Sequence, residues 1–185
     1  MGHVFFLRHC KTRLNAYGMI SGRLDSELVD KKVNGDIDKI DLDKLIIFSS
    51  DLMRCKKTLE IFLKKAQINP AIIYTPNLRE RNMGLFEGKK RIDLQREYSK
   101  YFINQRFCYQ LTPPEGEGYE EFVRRADLFI NDEFLKYQNN NSSRDFIICA
   151  HNQILKILYC RFKNISIEKN WERIDFVSGN IVRIL

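Results

Sequence analysis

The alternation of short apolar runs with amphipathic segments constrains the fold of this chain more than any other feature. Four apolar runs have the length and composition of buried strands: residues 4–7, 45–48, 71–74 and 146–150. Three other segments have the apolar spacing of helices: about 52–66, 119–137 and 153–161. Residues 180–185 predict a last strand. Strands that alternate with helices favour a largely parallel sheet. We therefore predict an α/β fold, a three-layer sandwich with a mostly parallel sheet and helices on both faces.

The length of 185 residues suits one domain, and we predict a single domain over residues 1–185. The stretch at about 82–118 is interpreted as a small cap inserted over the sheet edge. Ser-Ser-Asp at 49–51 predicts the N-cap of the helix that follows the second strand. The longest apolar runs are too short to span a bilayer, and the amino terminus has no secretory signal pattern. No membrane association is expected.

The five cysteines are scattered and include no Cys-x-x-Cys pair. This pattern argues against a disulfide framework and a structural zinc site, and indicates reduced thiols in a cytoplasmic protein. The formal charge of +7 could indicate nucleic-acid binding, but the basic residues are interleaved with acidic ones along the chain. We favour a solvated surface, or an attraction for small anionic substrates, and expect no nucleic-acid partner.

Polar side chains with a shared chemistry follow the predicted strands. Arg8 and His9 end the first strand, Arg54 begins the helix after the second, and His151 ends the fourth. In parallel sheets, ligands bind beyond the carboxyl ends of the strands. A neutral imidazole can act as a nucleophile, and arginine offers paired donors that match phosphate oxygens. The pattern therefore indicates phosphoryl chemistry at this edge.

Arg-His-Cys-Lys-Thr-Arg-Leu-Asn at 8–15 resembles the Arg-His-Gly signature of the histidine phosphatase superfamily, in its phosphoglycerate-mutase-like branch. Further segments resemble other parts of the family in the family's order: the next loop (20–25), a Ser-Ser-Asp-Leu-x-Arg block (48–58), an acid-bearing loop (78–88), a Gly-Glu-Ser turn (114–117) and the segment with the second histidine (149–152). Because the matches keep this order over nearly the whole chain, the resemblance is specific.

The resemblance implies a role for each matching residue. His9 would be the phosphorylated nucleophile, and Glu80 the general acid that later activates water as a base. The remaining site residues would contact the phosphate or the substrate: Arg8, Arg54, His151, Asn15, Ser21, Gly22 and Asn152. No metal ligand and no cofactor is implied.

Two residues depart from the family pattern, because Cys10 and Asn152 stand where the family has glycine. Asn tolerates left-handed backbone well, so Asn152 is a mild change. Cys10 is interpreted as a small side chain that fills space, with a redox-sensing thiolate as the alternative. Glu80 also has alternatives: it could only order its loop through Arg79 or Arg81, and Glu87 could then be the acid.

The sequence thus predicts an enzyme of the histidine acid phosphatase type, a metal-independent phosphomonoesterase that acts through a phosphohistidine on a small phosphorylated metabolite. One alternative is a phosphoglycerate-type mutase. The other is a non-catalytic module on the same fold that binds a phosphorylated ligand or a protein. The substrate and the oligomeric state stay open.

Overall fold

The computed structural model describes residues 2–185 and is organised around a six-stranded sheet. The strands are β1 (Val4–Arg8), β2 (Asn34–Gly35), β3 (Leu45–Ser50), β4 (Ala71–Thr75), β5 (Phe102–Ile103), β6 (Arg106–Phe107), β7 (Asp145–Ala150) and β8 (Asn180–Arg183). The α-helices are α1 (Arg13–Ala16), α2 (Met53–Ala66), α3 (Arg91–Glu97), α4 (Tyr119–Leu128), α5 (Leu135–Asn140), α6 (Asn152–Phe162) and α7 (Ile167–Asn170). Short 3₁₀ turns lie at Ile37–Lys39, Leu42–Lys44, Pro76–Leu78, Gly84–Phe86 and Ser99–Tyr101.

The central sheet has the strand order β2-β8-β1-β7-β3-β4. Its strand pairs are parallel except for β1 and β8, which are antiparallel. The predicted mostly parallel sheet is therefore confirmed. Arg8 pairs with Ala150 at the ends of β1 and β7, and the backbone N–H of His9 donates to the Ala150 carbonyl (3.0 Å). This register brings His9 and His151 to the same edge.

Successive side chains of β1 alternate between two apolar cores, one on each face of the sheet. Val4 and Phe6 pack on the side that holds α4 and α6, whereas Phe5 and Leu7 pack on the side that holds α2. Because these side chains are fully buried, each contributes about 1.5–3 kcal/mol of hydrophobic free energy. Helices cover both faces, so the predicted three-layer sandwich is confirmed.

The helix predicted at 119–137 is a continuous helical segment that runs from α4 through a π-helical stretch, Phe129–Phe134, into α5. The wider π turn bonds residues five apart and brings them onto one side of the helix. Phe129 and Phe134 consequently both face the core, with ring centroids 6.2 Å apart. In a regular α-helix, residues five apart diverge in direction.

Residues 82–118, the predicted cap, contain α3 and the two-stranded hairpin of β5 and β6. Phe86 is the centre of an aromatic cluster of this segment, and its ring contacts Tyr98, Tyr101, Phe102 and Phe107 at centroid distances of 5.0–6.3 Å. This cluster is separate from the two cores of the sheet. Within residues 2–185, no helix has both the length and the apolar character needed to traverse a membrane.

Candidate active site

A cavity of about 400 Å³ opens at the carboxyl ends of β1, β3 and β7. It brings together all but one of the residues predicted for the site. Those in its wall are Arg8, His9, Asn15, Ser21, Gly22, Arg54, Glu80 and Asn152.

His9 is held in one orientation at the base of the cavity. Its Nδ1–H donates to the Cys10 carbonyl (2.8 Å), so Nε2 carries the lone pair. The side chain is almost completely buried. Burial, together with the nearby Arg54 guanidinium, lowers the pKa of His9 well below its usual range. The ring is therefore neutral at neutral pH, which is the form a nucleophile needs.

His151 is the one predicted site residue that does not line the cavity. Its ring lies 5.0 Å from that of His9 and is fully buried. Nδ1 accepts a hydrogen bond from Arg54 Nε (3.1 Å), so Nε2 carries the proton and donates to Ser50 Oγ (2.9 Å). His151 thus fixes the orientation of Arg54 through this hydrogen bond, although His151 itself does not line the cavity. Direct contact between His151 and phosphate stays a prediction.

Arg54 fixes the loop at 21–25 with its two terminal nitrogens. Nη1 donates to the Leu24 carbonyl (2.7 Å) and Nη2 to the Gly22 carbonyl (2.6 Å). A guanidinium has five N–H donors, and His151 takes a third, so two make no hydrogen bond among residues 2–185 and can bind a ligand, although Nη1 also lies 3.6 Å from Asp25 Oδ1. Arg54 is fully buried, so an anion bound there meets a largely desolvated charge.

The N-terminus of α2 is capped differently from the prediction. The N-cap position is Leu52, and the carboxylate of Asp25 accepts hydrogen bonds from the backbone N–H groups of Met53 (3.2 Å) and Arg54 (3.4 Å). The predicted capping residues do not cap α2. Ser50 is the last residue of β3, and Asp51 forms a salt bridge with Arg79 (2.5 Å). The loop at 21–25 therefore stabilises the helix that carries Arg54.

Gly22 is required by the packing of this loop. It has φ +48°, and a Cβ there would lie 2.0 Å from Glu87 Oε1. That oxygen accepts from the backbone N–H groups of Arg23 (2.9 Å) and Met83 (2.8 Å). Glu87 therefore joins two loops and lies outside the cavity wall, which argues against it as the general acid.

Glu80 lies in the cavity wall between two backbone donors. Its Oε1 accepts from the N–H of Arg81 (3.0 Å), and its Oε2 accepts from the N–H of Gln153 (3.2 Å) at the start of α6. Arg79 instead pairs with Asp51. The Arg81 guanidinium is bound to three carbonyls, those of Tyr109, Leu111 and Glu117. Neither guanidinium contacts the Glu80 carboxylate, so the alternative of a purely structural ion pair has no support.

Arg8 has donors available for a ligand. Its Nη1 donates to the Phe176 carbonyl (2.5 Å), whereas its buried Nε has no partner among residues 2–185. Asn152 accepts from the N–H of Phe176 (3.1 Å), which leaves its Nδ2 free to donate. Asn15 closes a capping box with Thr12 and donates to Ser21 Oγ (3.2 Å). These bonds hold the polar groups of the cavity in place.

The Cys10 side chain points away from the cavity. It packs in the core with Phe5 and Leu7 and contacts the Lys32 carbonyl (3.4 Å from Sγ). Cys10 has negative φ, so no glycine is needed there. Burial raises the pKa of its thiol, which disfavours a thiolate. The space-filling interpretation therefore fits the structure better than the redox sensor.

The cavity wall also contains residues that the sequence reasoning did not place in the site. The polar and aromatic ones among them include Gln153, Lys156, Trp171, Glu172 and Asp175, together with Arg91, Arg106 and Tyr109 from residues 82–118. The sequence does contain a signal for Lys156, because it is the single charged residue in the run Ile-Leu-Lys-Ile-Leu at 154–158.

The fold is an α/β sandwich, and the cavity at the carboxyl ends of its strands has His9, Arg8 and Arg54 in its wall. The chain belongs to the histidine phosphatase superfamily (branch 1), which matches residues 4–184. The resemblance seen in the sequence is thus confirmed.

Similar proteins include phosphatases and mutases. A metal-independent phosphoserine phosphatase of Arabidopsis thaliana is 26% identical over 172 residues, which cover 88% of this chain and 69% of the relative. A 2,3-bisphosphoglycerate-dependent phosphoglycerate mutase of Methanosarcina mazei is 23% identical over 217 positions, covering 97% of this chain and 88% of the mutase. The solved structure of YhfR from Bacillus stearothermophilus superposes with a TM-score of 0.79 at 21% identity, over 99% of this chain and 90% of that one.

The hydrogen bonds of the two histidines predict opposite tautomers. We expect His9 to carry its proton on Nδ1 and His151 on Nε2, because the first donates to a carbonyl and the second accepts from Arg54. Burial lowers the pKa of both rings, so both should stay neutral as the pH falls through about 6.5, where a free histidine titrates. Long-range ¹⁵N NMR reports both properties directly. Protonation of His9 at or above pH 6.5 would contradict this assignment.

Proposed function

We propose that this protein is a metal-independent phosphomonoesterase that acts on a small phosphorylated metabolite through a phosphohistidine at His9. The observation that carries the proposal is the fixed, neutral His9 ring in a cavity wall shared with Arg8, Arg54 and Glu80. Two arginines can bind the equatorial oxygens on which charge accumulates during phosphoryl transfer.

The proposed reaction has two steps. In the first, the lone pair on His9 Nε2 attacks phosphorus, the bond between phosphorus and the ester oxygen breaks, and Glu80 gives its proton to the leaving oxygen. In the second, water attacks the phosphohistidine while the Glu80 carboxylate takes the water's proton. The bond between phosphorus and nitrogen breaks, inorganic phosphate leaves, and both side chains return to their starting states.

The arginines also support metal independence. A metal ion in phosphoryl transfer neutralises charge on the phosphate oxygens, and Arg8 and Arg54 can supply that charge themselves. The relative from Arabidopsis thaliana is itself named a metal-independent phosphatase. We also propose a cytoplasmic location, because all five cysteines are unpaired, as is usual in a reducing compartment.

The mutase alternative is supported by relatives of that name. The alignment with the Methanosarcina mazei mutase runs over 217 positions, although this chain has 185 residues, so the mutase carries additional residues. The resemblance implies that mutases of this family carry larger insertions over the site, and a shorter cover favours access of water to the phosphohistidine and therefore hydrolysis. A non-catalytic binding module would need neither an oriented His9 nor the carboxylate of Glu80.

We expect the wild-type protein to release inorganic phosphate from nitrophenyl phosphate and from at least some phosphorylated metabolites. Activity should persist in a chelator and be inhibited by orthovanadate, which mimics five-coordinate phosphorus. Phosphate release and the interconversion of 3- and 2-phosphoglycerate are measured on the same preparation. Efficient isomerisation with little phosphate release would favour the mutase, and the absence of both would favour the binding module. Loss of activity on chelation, with recovery on adding Mg²⁺ or Zn²⁺, would contradict metal independence.

A further inference from the structure

Helix α6 presents to the cavity a buried cation that the proposed reaction does not use. Lys156 lines the cavity with only 7% of its surface exposed. Its Nζ donates to the Trp171 carbonyl (2.9 Å) and lies 5.2 Å from the centre of the Trp171 ring. An ammonium has three donors, and within residues 2–185 Lys156 has no second hydrogen bond and no salt bridge. A buried charge with unused donors is costly unless a ligand pairs with it.

The acidic groups of the same wall do not neutralise Lys156. Glu172 is paired with Arg106, and Asp175 is exposed and forms no salt bridge with Lys156. Burial lowers the pKa of Lys156, while Asp175 and Glu172 act from a distance to raise it. The wall as a whole has an excess of basic side chains and so favours anionic ligands: Arg8, Arg54, Arg91, Arg106 and Lys156 against Glu80, Glu172 and Asp175.

The position of Lys156 indicates which part of a substrate it would meet. Gln153 and Lys156 are three residues apart and share one face of α6. The Gln153 N–H holds Glu80, the proposed proton donor, so the leaving oxygen lies near Gln153. Lys156 is one turn farther from His9 along the helix. In the same wall, Tyr109 stacks on Trp171 with ring centroids 4.5 Å apart.

We propose that Lys156 recognises a second anionic group, a carboxylate or a second phosphate, on the leaving part of a small phosphate monoester. This inference rests on the proposed function, because it assumes that His9 and the two arginines bind the transferred phosphate. Lys156 is then a specificity-determining residue, since it contacts the part of the substrate that distinguishes one ester from another.

The test uses pairs of esters that differ in one anionic group. Phosphoserine is compared with phosphoethanolamine, 3-phosphoglycerate with glycerol 3-phosphate, and propanediol bisphosphate with propyl phosphate. We expect wild-type kcat/KM to favour the anionic member of at least one pair by roughly 10- to 100-fold, the effect of a hydrogen bond to a charged group. Lys156→Met should remove most of that preference, and Lys156→Arg should keep part of it. Lys163→Met, on the exposed end of α6, is the matched control and should leave all ratios unchanged.

The outcomes separate this inference from the proposed function. The pair that shows the preference distinguishes a carboxylate from a phosphate. A wild-type protein that hydrolyses nitrophenyl phosphate but shows no preference in any pair would overturn the inference. Equal losses on both members in Lys156→Met would also overturn it, because the lysine would then only hold the Trp171 segment. If no ester is hydrolysed at all, the proposed function fails, and calorimetric binding of the same pairs to wild type and Lys156→Met makes the same comparison.

Discussion

Replacing His9 with alanine is expected to lower kcat for every phosphate ester by on the order of 10⁴-fold or more, because the reaction loses the atom that accepts the phosphoryl group. The fold should survive, since among residues 2–185 the side chain makes one hydrogen bond, to the neighbouring Cys10 carbonyl. Wild-type protein quenched without acid during turnover of a ³²P-labelled ester should carry an acid-labile, base-stable label. His9→Ala should carry none.

His3 offers a matched control for this experiment. It lies just before β1, at the opposite end of the strand from His9, and contacts Asp145 rather than the cavity. His3→Ala should therefore keep full labelling and turnover. Near-normal turnover in His9→Ala, or a label that maps to His151, would show that another group is the nucleophile.

Replacing Glu80 with glutamine is expected to slow the hydrolysis of alkyl phosphates much more than that of nitrophenyl phosphate. An alkyl alkoxide is a poor leaving group and needs a proton, whereas a nitrophenolate leaves readily without one. General acid catalysis contributes on the order of 10²–10⁴-fold, so alkyl phosphates should lose about that much and nitrophenyl phosphate far less. Glutamine has one acceptor oxygen, so it can still accept from the Gln153 N–H but loses the bond from the Arg81 N–H, and the loop stays joined to the start of α6. Steady-state kinetics on both substrate types gives the comparison.

Glu87 is the informative comparison for Glu80, because it lies on the same loop and is not part of the cavity wall. Glu87→Gln weakens the junction between two loops, so any loss should be similar for both substrate types. The exposed Glu121→Gln should change neither. Equal losses in Glu80→Gln, combined with a leaving-group-dependent loss in Glu87→Gln, would transfer the acid role to Glu87.

The strands and helices that build the sheet follow from the sequence, because each is a continuous apolar run or an amphipathic segment. The two-residue strands β2, β5 and β6 carry no such pattern, since their pairing depends on distant partners. The capping of α2 by Asp25 was missed for the same reason, because the carboxylate lies 28 residues before Met53. The local Ser-Ser-Asp motif at 49–51 predicted the N-cap of this helix, but the N-cap residue is Leu52.

The composition of the site is more predictable than the direction of its side chains. The sequence placed His9, Arg8, Arg54 and Glu80 near the cavity, where the structure has them. It could not determine that Cys10 points into the core, because a strand end can turn a side chain to either side. The burial of Lys156 could not be predicted from the sequence either, since it depends on Trp171, fifteen residues further along the chain.

The place of β1 in the sheet has a consequence for synthesis of the chain. β1 precedes the other strands of this sheet in the chain, yet its two neighbours are β7 and β8. The hydrogen bond that closes the start of this pairing joins His3 to Asp145, 142 residues apart. On the ribosome, β1 therefore stays unpaired until β7 has emerged, and its second edge stays open until β8 has emerged. Non-local pairing of this kind slows folding and exposes a strand that can aggregate. A nascent chain released before residue 151 holds His9 without His151, so we expect such products to lack the proposed activity and to depend on chaperones.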